Sequence, residues 1–228
     1  MTLIAFSNPI NGASLFKVNT SIKPPFSTED QKGFFDYLLK ELFNRLDIKV
    51  ELIRLPAERA LHMANDGVSD GEIPRIAGLQ KKYQNLIQVP ESVIDYHFVG
   101  FMRQPVITDM KWGSLKSVKV GMIIGWKIYE NNVPPSAEIT KVSSPKQLMQ
   151  MANYGRVDIA LYERYAGRYI IKHHHFKLLA ESKPPLAIKP MFLYVHNKHK
   201  AIVNLLAKAL RKMKTDGTWH KIANDTLH

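Results

Sequence analysis

The stretch that decides the fold is residues 33–73, "GFFDYLLKELFNRLDIKVELIRLPAERALHMANDGVSDGEI". It opens with apolar residues at helical spacing, among them Phe34, Leu38 and Leu42, which predict an amphipathic helix. "IKVELIRL" follows as a strand, "PAERALHMANDG" has the proline start and Asn-Asp-Gly stop of a second helix, and "VSDGEI" is a short strand. Strands that alternate with helices indicate a mainly parallel sheet covered by helices.

The same alternation continues on both sides of this stretch. Before it, "LFKVNTSIKPPFS" predicts a strand that ends at two prolines, so the chain leaves the sheet at Phe26. After it, "VKVGMII", "AEITKV" and "RVDIALY" predict strands, and "GWKIYENN" and "SPKQLMQMANYG" predict helices. A loop-like stretch, "FMRQPVITDMKWGSLKS", separates the two series. At the end, "LAIKPMFLYVHN" is extended and "KHKAIVNLLAKALRKMKTDG" predicts one long amphipathic helix closed by Asp216 and Gly217.

Composition limits the classes of partner and chemistry. The chain has 228 residues and a net charge of +12, which favours anionic partners. Its Lys and Arg residues are spread from Lys17 to Lys221 rather than gathered in a stripe, so we expect no nucleic-acid partner. The absence of cysteine excludes disulfides, thiolate zinc sites and a cysteine nucleophile. The uncharged start "MTLIAFSNPINGAS" is typical of the second half of a signal peptide, with a plain leading loop as the alternative.

Several motifs of catalysis and cofactor binding are missing from the sequence. No glycine-rich dinucleotide or phosphate loop follows a predicted strand, and no G-x-S-x-G elbow is present. The run "KHHHF", with His173 to His175, lacks a second cluster at ligand spacing and is predicted to be a polar loop. We therefore expect no metal, no cofactor and no enzymatic reaction.

Seven segments carry a resemblance to a known family: "KPPFS", "GFFDYLLKEL", "PAERALHMANDGVSDGEI", "KKYQNLIQVP", "VKVGMIIGW", "GRVDIALYER" and "ALRKMKTDGTWHKIAND". In this order they resemble an extracytoplasmic solute-binding protein of the amino-acid ABC importer type, family 3. The resemblance implies an α/β fold of periplasmic binding protein type 2 architecture: two Rossmann-like lobes, joined by a two-strand hinge, that close on a ligand. Lobe one would be 1–101 plus 190–228 and lobe two 102–189, with hinge strands "YHFVGFMRQ" and "LAIKPMFLYV".

The resemblance also implies a function. We expect periplasmic capture of a small polar, carboxylate-bearing solute, an amino acid or a related molecule, for delivery to an ABC permease in the inner membrane. The family is typically monomeric. One alternative is the ligand-sensing domain of a receptor. Another is a periplasmic dehydratase-like enzyme, in which an acid in the cleft such as Glu163 would serve as general acid or base.

Arg75 is the expected carboxylate clamp. Relatives place an arginine in the loop after the "DG" strand, and a guanidinium binds a carboxylate through two parallel hydrogen bonds. The loop "EIPRIAG" lacks the usual Ser and Thr residues, and relatives place their arginine several positions later, where this chain has Lys82. Lys82 is therefore the alternative clamp, and Arg75 is preferred because it stands nearer the end of the strand.

Six further residues are expected in or near the cleft. Phe26 matches the aromatic ring that relatives stack over the ligand, with core packing as its alternative. Gly125 and Trp126 open a helix where relatives carry glycine followed by Ser or Thr, which bind the ligand carboxylate. In this chain Trp126 would cover an apolar part of the ligand and Lys127 would add charge, unless they face the solvent or the core. The resemblance assigns the ligand's ammonium group to Glu163, with Tyr162 beside it. Arg59 would border the cleft unless it forms a surface ion pair with Glu58 on the same helix.

Overall fold

The computed structural model describes residues 15–227. The predicted signal segment, residues 1–14, lies outside the described residues. The described helices are α1 Phe34–Asn44, α2 Ala57–Asn65, α3 Lys127–Glu130, α4 Pro145–Asn153, α5 Arg164–His173, α6 Val203–Thr215 and α7 Thr218–Leu227. The described strands are β1 Phe16–Thr20, β2 Val50–Arg54, β3 Gly71–Arg75, β4 Leu86–Arg103, β5 Lys119–Ile123, β6 Glu138–Val142, β7 Ile159–Glu163, β8 Leu179–Glu181 and β9 Ala187–His196.

The strands lie in the order β2-β1-β3-β9-β4-β7-β5-β6, and β8 pairs with β4. β1 runs parallel to β2 and β3, and β5 runs parallel to β6 and β7. The antiparallel strands β9 and β4 separate these two parallel sets. The predicted α/β fold, with two series of alternating elements and a break between them, is therefore confirmed.

Two strands run from one parallel set to the other. β4 is 18 residues long and pairs with β9 from Leu86↔His196 to Phe98↔Ala187, with register shifts between Gln88 and Ile94. Beyond these pairs, β4 continues alongside β7 and β8. The two segments that the sequence indicated as hinge strands lie within β4 and β9 or at their ends.

The apolar face of α1 is buried as its spacing predicts, with Phe34, Leu38 and Leu42 inaccessible to solvent. The helix begins at Gly33, where a Cβ atom would lie 2.6 Å from the carbonyl oxygen of Phe26. Asp36 accepts hydrogen bonds from the backbone N–H of Gly33 (2.9 Å) and of Thr28 (3.0 Å). The start of α1 thereby holds the Phe26 loop against the helix.

The last third of the chain differs from the sequence prediction. The predicted long helix begins as a 3-10 segment over Asn197–Ile202, in which His199 has non-helical backbone angles, and α6 follows it. Gly217 has a φ of +86°, which separates α6 from α7. The "KHHHF" run is not wholly a loop, since α5 continues to His173.

None of the helices within 15–227 has the length and apolar composition that a bilayer crossing requires. In the same range, no group of three or more His, Cys, Asp or Glu side chains is arranged to hold a metal ion.

Asp158, expected to be structural, accepts a hydrogen bond from the backbone N–H of Lys119 at 2.9 Å and so connects the start of β7 to β5.

Candidate functional site

A cleft of about 860 Å³ lies between the two halves of the sheet, at the carboxyl ends of β1, β2, β5, β6 and β7. This volume is within the range of small-molecule sites, and strand ends are where α/β proteins bind ligands. One wall consists of Ser21, Ile22, Lys23, Pro24, Phe26, Arg54, Leu55, Pro56, Ala57 and Tyr96. The other wall consists of Ile123, Trp126, Ser143, Ser144, Pro145, Lys146, Tyr162, Glu163, Ala166, Tyr169 and Ile170.

A larger groove, of about 1110 Å³, lies on the outer face beside α1 and α7. Five buried side-chain polar atoms in the described residues lack a hydrogen-bond partner, and none of them belongs to the lining of this groove. Two of the five, on Tyr96 and Glu163, belong to residues of the cleft wall. The cleft is therefore the candidate site, since its wall presents unused hydrogen-bonding groups.

Aromatic rings form both walls of the cleft. On one side, Phe26 lies against Tyr96 with ring centroids 5.0 Å apart. On the other side, Trp126 stacks on Tyr162 with centroids 4.7 Å apart and planes inclined by 28°. The buried Tyr129 stacks on Trp126 and donates a hydrogen bond of 2.7 Å to the carbonyl oxygen of Tyr162, which fixes this second pair in place. These rings provide a rigid apolar enclosure.

Glu163 is the buried acid of the cleft, with 1% of its surface exposed. It begins α5: its Oε2 accepts the backbone N–H of Ala166 at 2.8 Å, while Oε1 has no hydrogen-bond partner of normal geometry among the described residues. Burial raises the pKa of Glu163 to about 7, although nearby backbone N–H groups and the positive charge of Arg164 act in the opposite direction. The carboxyl group therefore changes charge near neutral pH.

Tyr96 of β4 is the second buried polar group of the wall. Its hydroxyl has no hydrogen-bond partner within the described part of the chain. Burial, together with the negative charge of Glu163, raises the pKa of Tyr96 well above its ordinary value. Tyr96 thus faces the cleft as a neutral hydroxyl that can both donate and accept.

The structure places Arg75 outside the lining of the cleft. Its guanidinium donates from Nε and Nη2 to Oε1 of Glu72 (3.0 and 2.6 Å) and from Nη2 to the carbonyl oxygen of Ala57 (3.1 Å). Glu72 is fully buried. Burial raises the pKa of Glu72 to about 7, although the charge of Arg75 opposes the rise. Arg75 therefore joins the end of β3 to the start of α2.

Three other predicted residues also lie away from the cavity wall. Lys127 forms an ion pair of 2.6 Å with Glu130. Lys82 has its Nζ atom 5.2 Å from the ring centroid of Tyr83, and Arg59 is exposed on α2. The structure brings together the other four predicted residues, Phe26, Trp126, Tyr162 and Glu163.

The prediction omitted Tyr96 and three basic residues of the cleft. Lys23, Arg54 and Lys146 line it from exposed positions. Arg54 ends β2 and donates to the hydroxyl of Ser27 (3.3 Å) and to the carbonyl oxygen of Thr28. The position of Arg54 at the end of a predicted strand could have indicated that it lines the cleft. Nothing in the sequence distinguishes Tyr96 from the other residues of its hinge strand. The cleft combines a basic rim with a buried acid.

No protein-family model matches the sequence. An uncharacterized protein of Shewanella oneidensis is 27% identical over 207 residues, which are 85% of this chain and 77% of that protein.

Among the solved structures that resemble this chain, three cover at least 93% of it. The GluR0 ligand-binding core in complex with L-glutamate has a TM-score of 0.81 and 12% identity, covering 96% of this chain and 100% of that chain. A putative ABC-transporter binding component from Wolinella succinogenes, complexed with lysine, has a TM-score of 0.78 and 15% identity, covering 93% and 95%. A histidine kinase sensor domain with similarity to periplasmic binding proteins has a TM-score of 0.73 and 15% identity, covering 94% and 96%. The chain therefore has the periplasmic binding protein type 2 fold of amino-acid-binding proteins of ABC transporters, as the resemblance of its sequence predicted.

Proposed function

We propose that the protein works outside the cytoplasm, where its cleft captures a small polar solute, an amino acid or a related molecule. It then delivers this solute to an ABC permease in the inner membrane. The observation that carries this proposal is the unpartnered Oε1 atom of Glu163 in the cavity wall. A buried polar atom without a partner lowers the stability of a fold. A ligand that supplies the missing hydrogen bond recovers that loss and gains affinity from it.

In this proposal, lobe one is 1–101 plus 190–228, and lobe two is 102–189. The structure describes lobe one over 15–101 and 190–227. The cavity supports the division, because Phe26 lines it from one lobe and Trp126 from the other. Ligand contacts to both lobes favour the closed arrangement over an open one. β4 and β9 would bend as the lobes close.

The proposed ligand contacts are Phe26, Trp126, Tyr162 and Glu163, with Tyr96 added from the structure. We assign Arg75 to supporting α2, because its donors already hold Glu72 and the backbone of α2. Direct binding of a ligand carboxylate by Arg75 or by Lys82 stays a prediction, and so do ligand contacts by Lys127 and Arg59.

A thermal-unfolding screen tests the proposal. Amino acids, small organic acids, polyamines and oligopeptides are each added to the purified protein. A ligand at about 100 times its dissociation constant adds about 2.7 kcal/mol of stability. For a chain of this size, that gain raises the melting temperature by roughly 5 to 11 °C.

Two variants make the screen specific for the cleft. Glu163→Gln should abolish the ligand-induced shift, whereas Glu138→Gln, at an exposed position on β6, should retain it. A screen in which no compound stabilises the protein, or in which hits stabilise Glu163→Gln equally, contradicts the proposal. A hit that is chemically altered on incubation supports the dehydratase-like alternative instead.

The second candidate function is ligand sensing for a receptor, which the likeness to a histidine kinase sensor domain supports. Both functions begin with the same capture step, so binding data alone do not separate them. The two functions are separated by measuring the uptake of a radiolabelled hit in cells with and without the gene. Loss of uptake in the deletion strain supports transport, and unchanged uptake supports sensing.

A further inference from the structure

Two of the places that the family resemblance assigns to a ligand carboxylate, Arg75 and the Gly125 turn before α3, are already occupied by carboxylates of this chain. Arg75 holds Glu72, whose side chain is fully buried. The backbone N–H of Gly125, at the start of α3, donates to Oε1 of Glu130 at 3.2 Å. Lys127 and Lys141 neutralise the same Glu130. A ligand carboxylate would have to displace one of these internal partners before it could bind there.

The inner wall of the cleft is suited to a cation instead. The Oε1 atom of Glu163 and the hydroxyl of Tyr96 are buried, and neither has a hydrogen-bond partner in the described chain. Both oxygens accept hydrogen bonds, and an ionised Glu163 supplies the compensating negative charge. Phe26, Trp126 and Tyr162 line the same cleft, so its wall around these two oxygens is aromatic and suits the alkyl chain of an amine.

The outer part of the cleft has the opposite charge. Lys23, Arg54 and Lys146 are exposed there, and all three are basic. A ligand with a positive end and a negative end is therefore oriented by the cleft, with its positive end inward and its negative end at the rim. The two charges of an α-amino acid are attached to one carbon atom and cannot be separated in this way.

From these contacts we propose that the cleft recognises an aliphatic amine by its ammonium group, at Glu163 and Tyr96, and does not require a carboxylate on the adjacent carbon. A negative group at the far end of the ligand binds at the rim of Lys23, Arg54 and Lys146. This inference rests on the proposed capture function and names its substrate class: amino acids whose amine and carboxylate are separated along the chain. The basic rim repels the second ammonium group of a diamine, so diamines should bind more weakly.

Two matched pairs of ligands test the inference by isothermal titration calorimetry at pH 8. Norvaline and 5-aminopentanoate are isomers that differ in the distance between amine and carboxylate. 5-Aminopentanoate and 1,5-diaminopentane share an ammonium group and carry opposite charges at their far ends. We expect 5-aminopentanoate to bind at least tenfold more tightly than norvaline, and more tightly than the diamine, because the basic rim attracts its carboxylate and repels a second ammonium group. Tenfold tighter binding of norvaline or of the diamine than of 5-aminopentanoate overturns the inference and leaves the capture function standing.

Failure of 5-aminopentanoate to bind also overturns the inference. The capture function fails separately, only when the broad thermal screen gives no ligand at all.

Two variants locate the ammonium group. Tyr96→Phe removes one hydroxyl and keeps the ring, and Glu163→Gln removes the charge and keeps an oxygen for the N–H of Ala166. Each should weaken binding of 5-aminopentanoate at least tenfold, while Glu138→Gln should not change it. Because the hydroxyl of Tyr96 has no partner, Tyr96→Phe should melt no lower than the parent, so its loss of affinity does not come from misfolding. Unchanged affinity for 5-aminopentanoate in both variants contradicts the assignment.

Discussion

Replacing Glu163 with glutamine tests whether the cleft contains a carboxylate that destabilises the fold when it is ionised. Burial raises the pKa of this group from 4.5 to about 7. One pKa unit corresponds to about 1.4 kcal/mol, so the ionised carboxylate costs the folded protein roughly 3 kcal/mol. Because the folded state keeps its proton to a higher pH than the unfolded state, this cost appears as the pH rises from about 4.5 to about 7. It is fully present at pH 8 and below about 1 kcal/mol at pH 5.

The assay is urea unfolding of the parent and of Glu163→Gln, followed by tryptophan fluorescence at pH 5 and pH 8. The amide group of glutamine leaves a buried donor without a partner, but that cost is the same at both pH values. The stability of the variant relative to the parent should therefore be roughly 2 to 3 kcal/mol more favourable at pH 8 than at pH 5. The neighbouring Tyr96 and Tyr162 do not titrate in this range, because burial raises their pKa values further.

Glu138→Gln is the matched control, since it removes one exposed carboxylate from β6. It should change stability by less than about 0.5 kcal/mol at both pH values. The reasoning would be refuted if the free energy of unfolding of Glu163→Gln relative to the parent were equal at pH 5 and pH 8. It would also be refuted if this relative stability were more favourable at pH 5 than at pH 8.

Three further predictions concern the supports of the cleft and its pH response. Arg75→Ala leaves Glu72 buried without its counter-charge and should cost about 3 to 5 kcal/mol in urea unfolding at pH 8. The loss should be smaller at pH 5, where Glu72 is protonated, and an equal loss at both pH values would contradict this. Gly167→Ala places a methyl group into the ring of Phe101 and should cost roughly 1 to 3 kcal/mol, visible as a lower melting temperature; an unchanged melting temperature would argue against this packing. The affinity for an aliphatic amine should rise between pH 6 and pH 8, as calorimetry would show, because a cation favours the ionised form of Glu163; a flat profile would exclude this.

The order of the elements could be predicted because each depends on local patterns. Ser144 and Pro145 mark the start of α4, where the Ser144 hydroxyl accepts the backbone N–H of Gln147, and Gly217 marks the end of α6 with its left-handed conformation. The strand-end positions of Tyr162 and Glu163 followed from the same alternation of strands and helices.

The partners of the charged side chains could not be predicted, because they depend on tertiary contacts. The sequence around an arginine at the end of β3 is the same whether that arginine binds a ligand or a buried partner. Glu72 becomes the buried partner of Arg75 only when β3 lies between β1 and β9. Tyr96 appears in the sequence as one apolar position among many in β4. Its importance comes from burial without a hydrogen-bond partner, which depends on how the cleft walls meet.

One strand belongs to both halves of the molecule: β4 pairs with β9 along most of its length and with β7 and β8 at its far end. Neither half can melt alone without breaking backbone pairs of β4, so we expect the two halves to unfold together. Amides between Val93 and Phe101 then become accessible only when the whole sheet opens. Their hydrogen exchange should therefore report the global unfolding free energy, while the edge strands β2 and β6 exchange through local fraying. A bound solute would then slow exchange at amides that no solute atom touches.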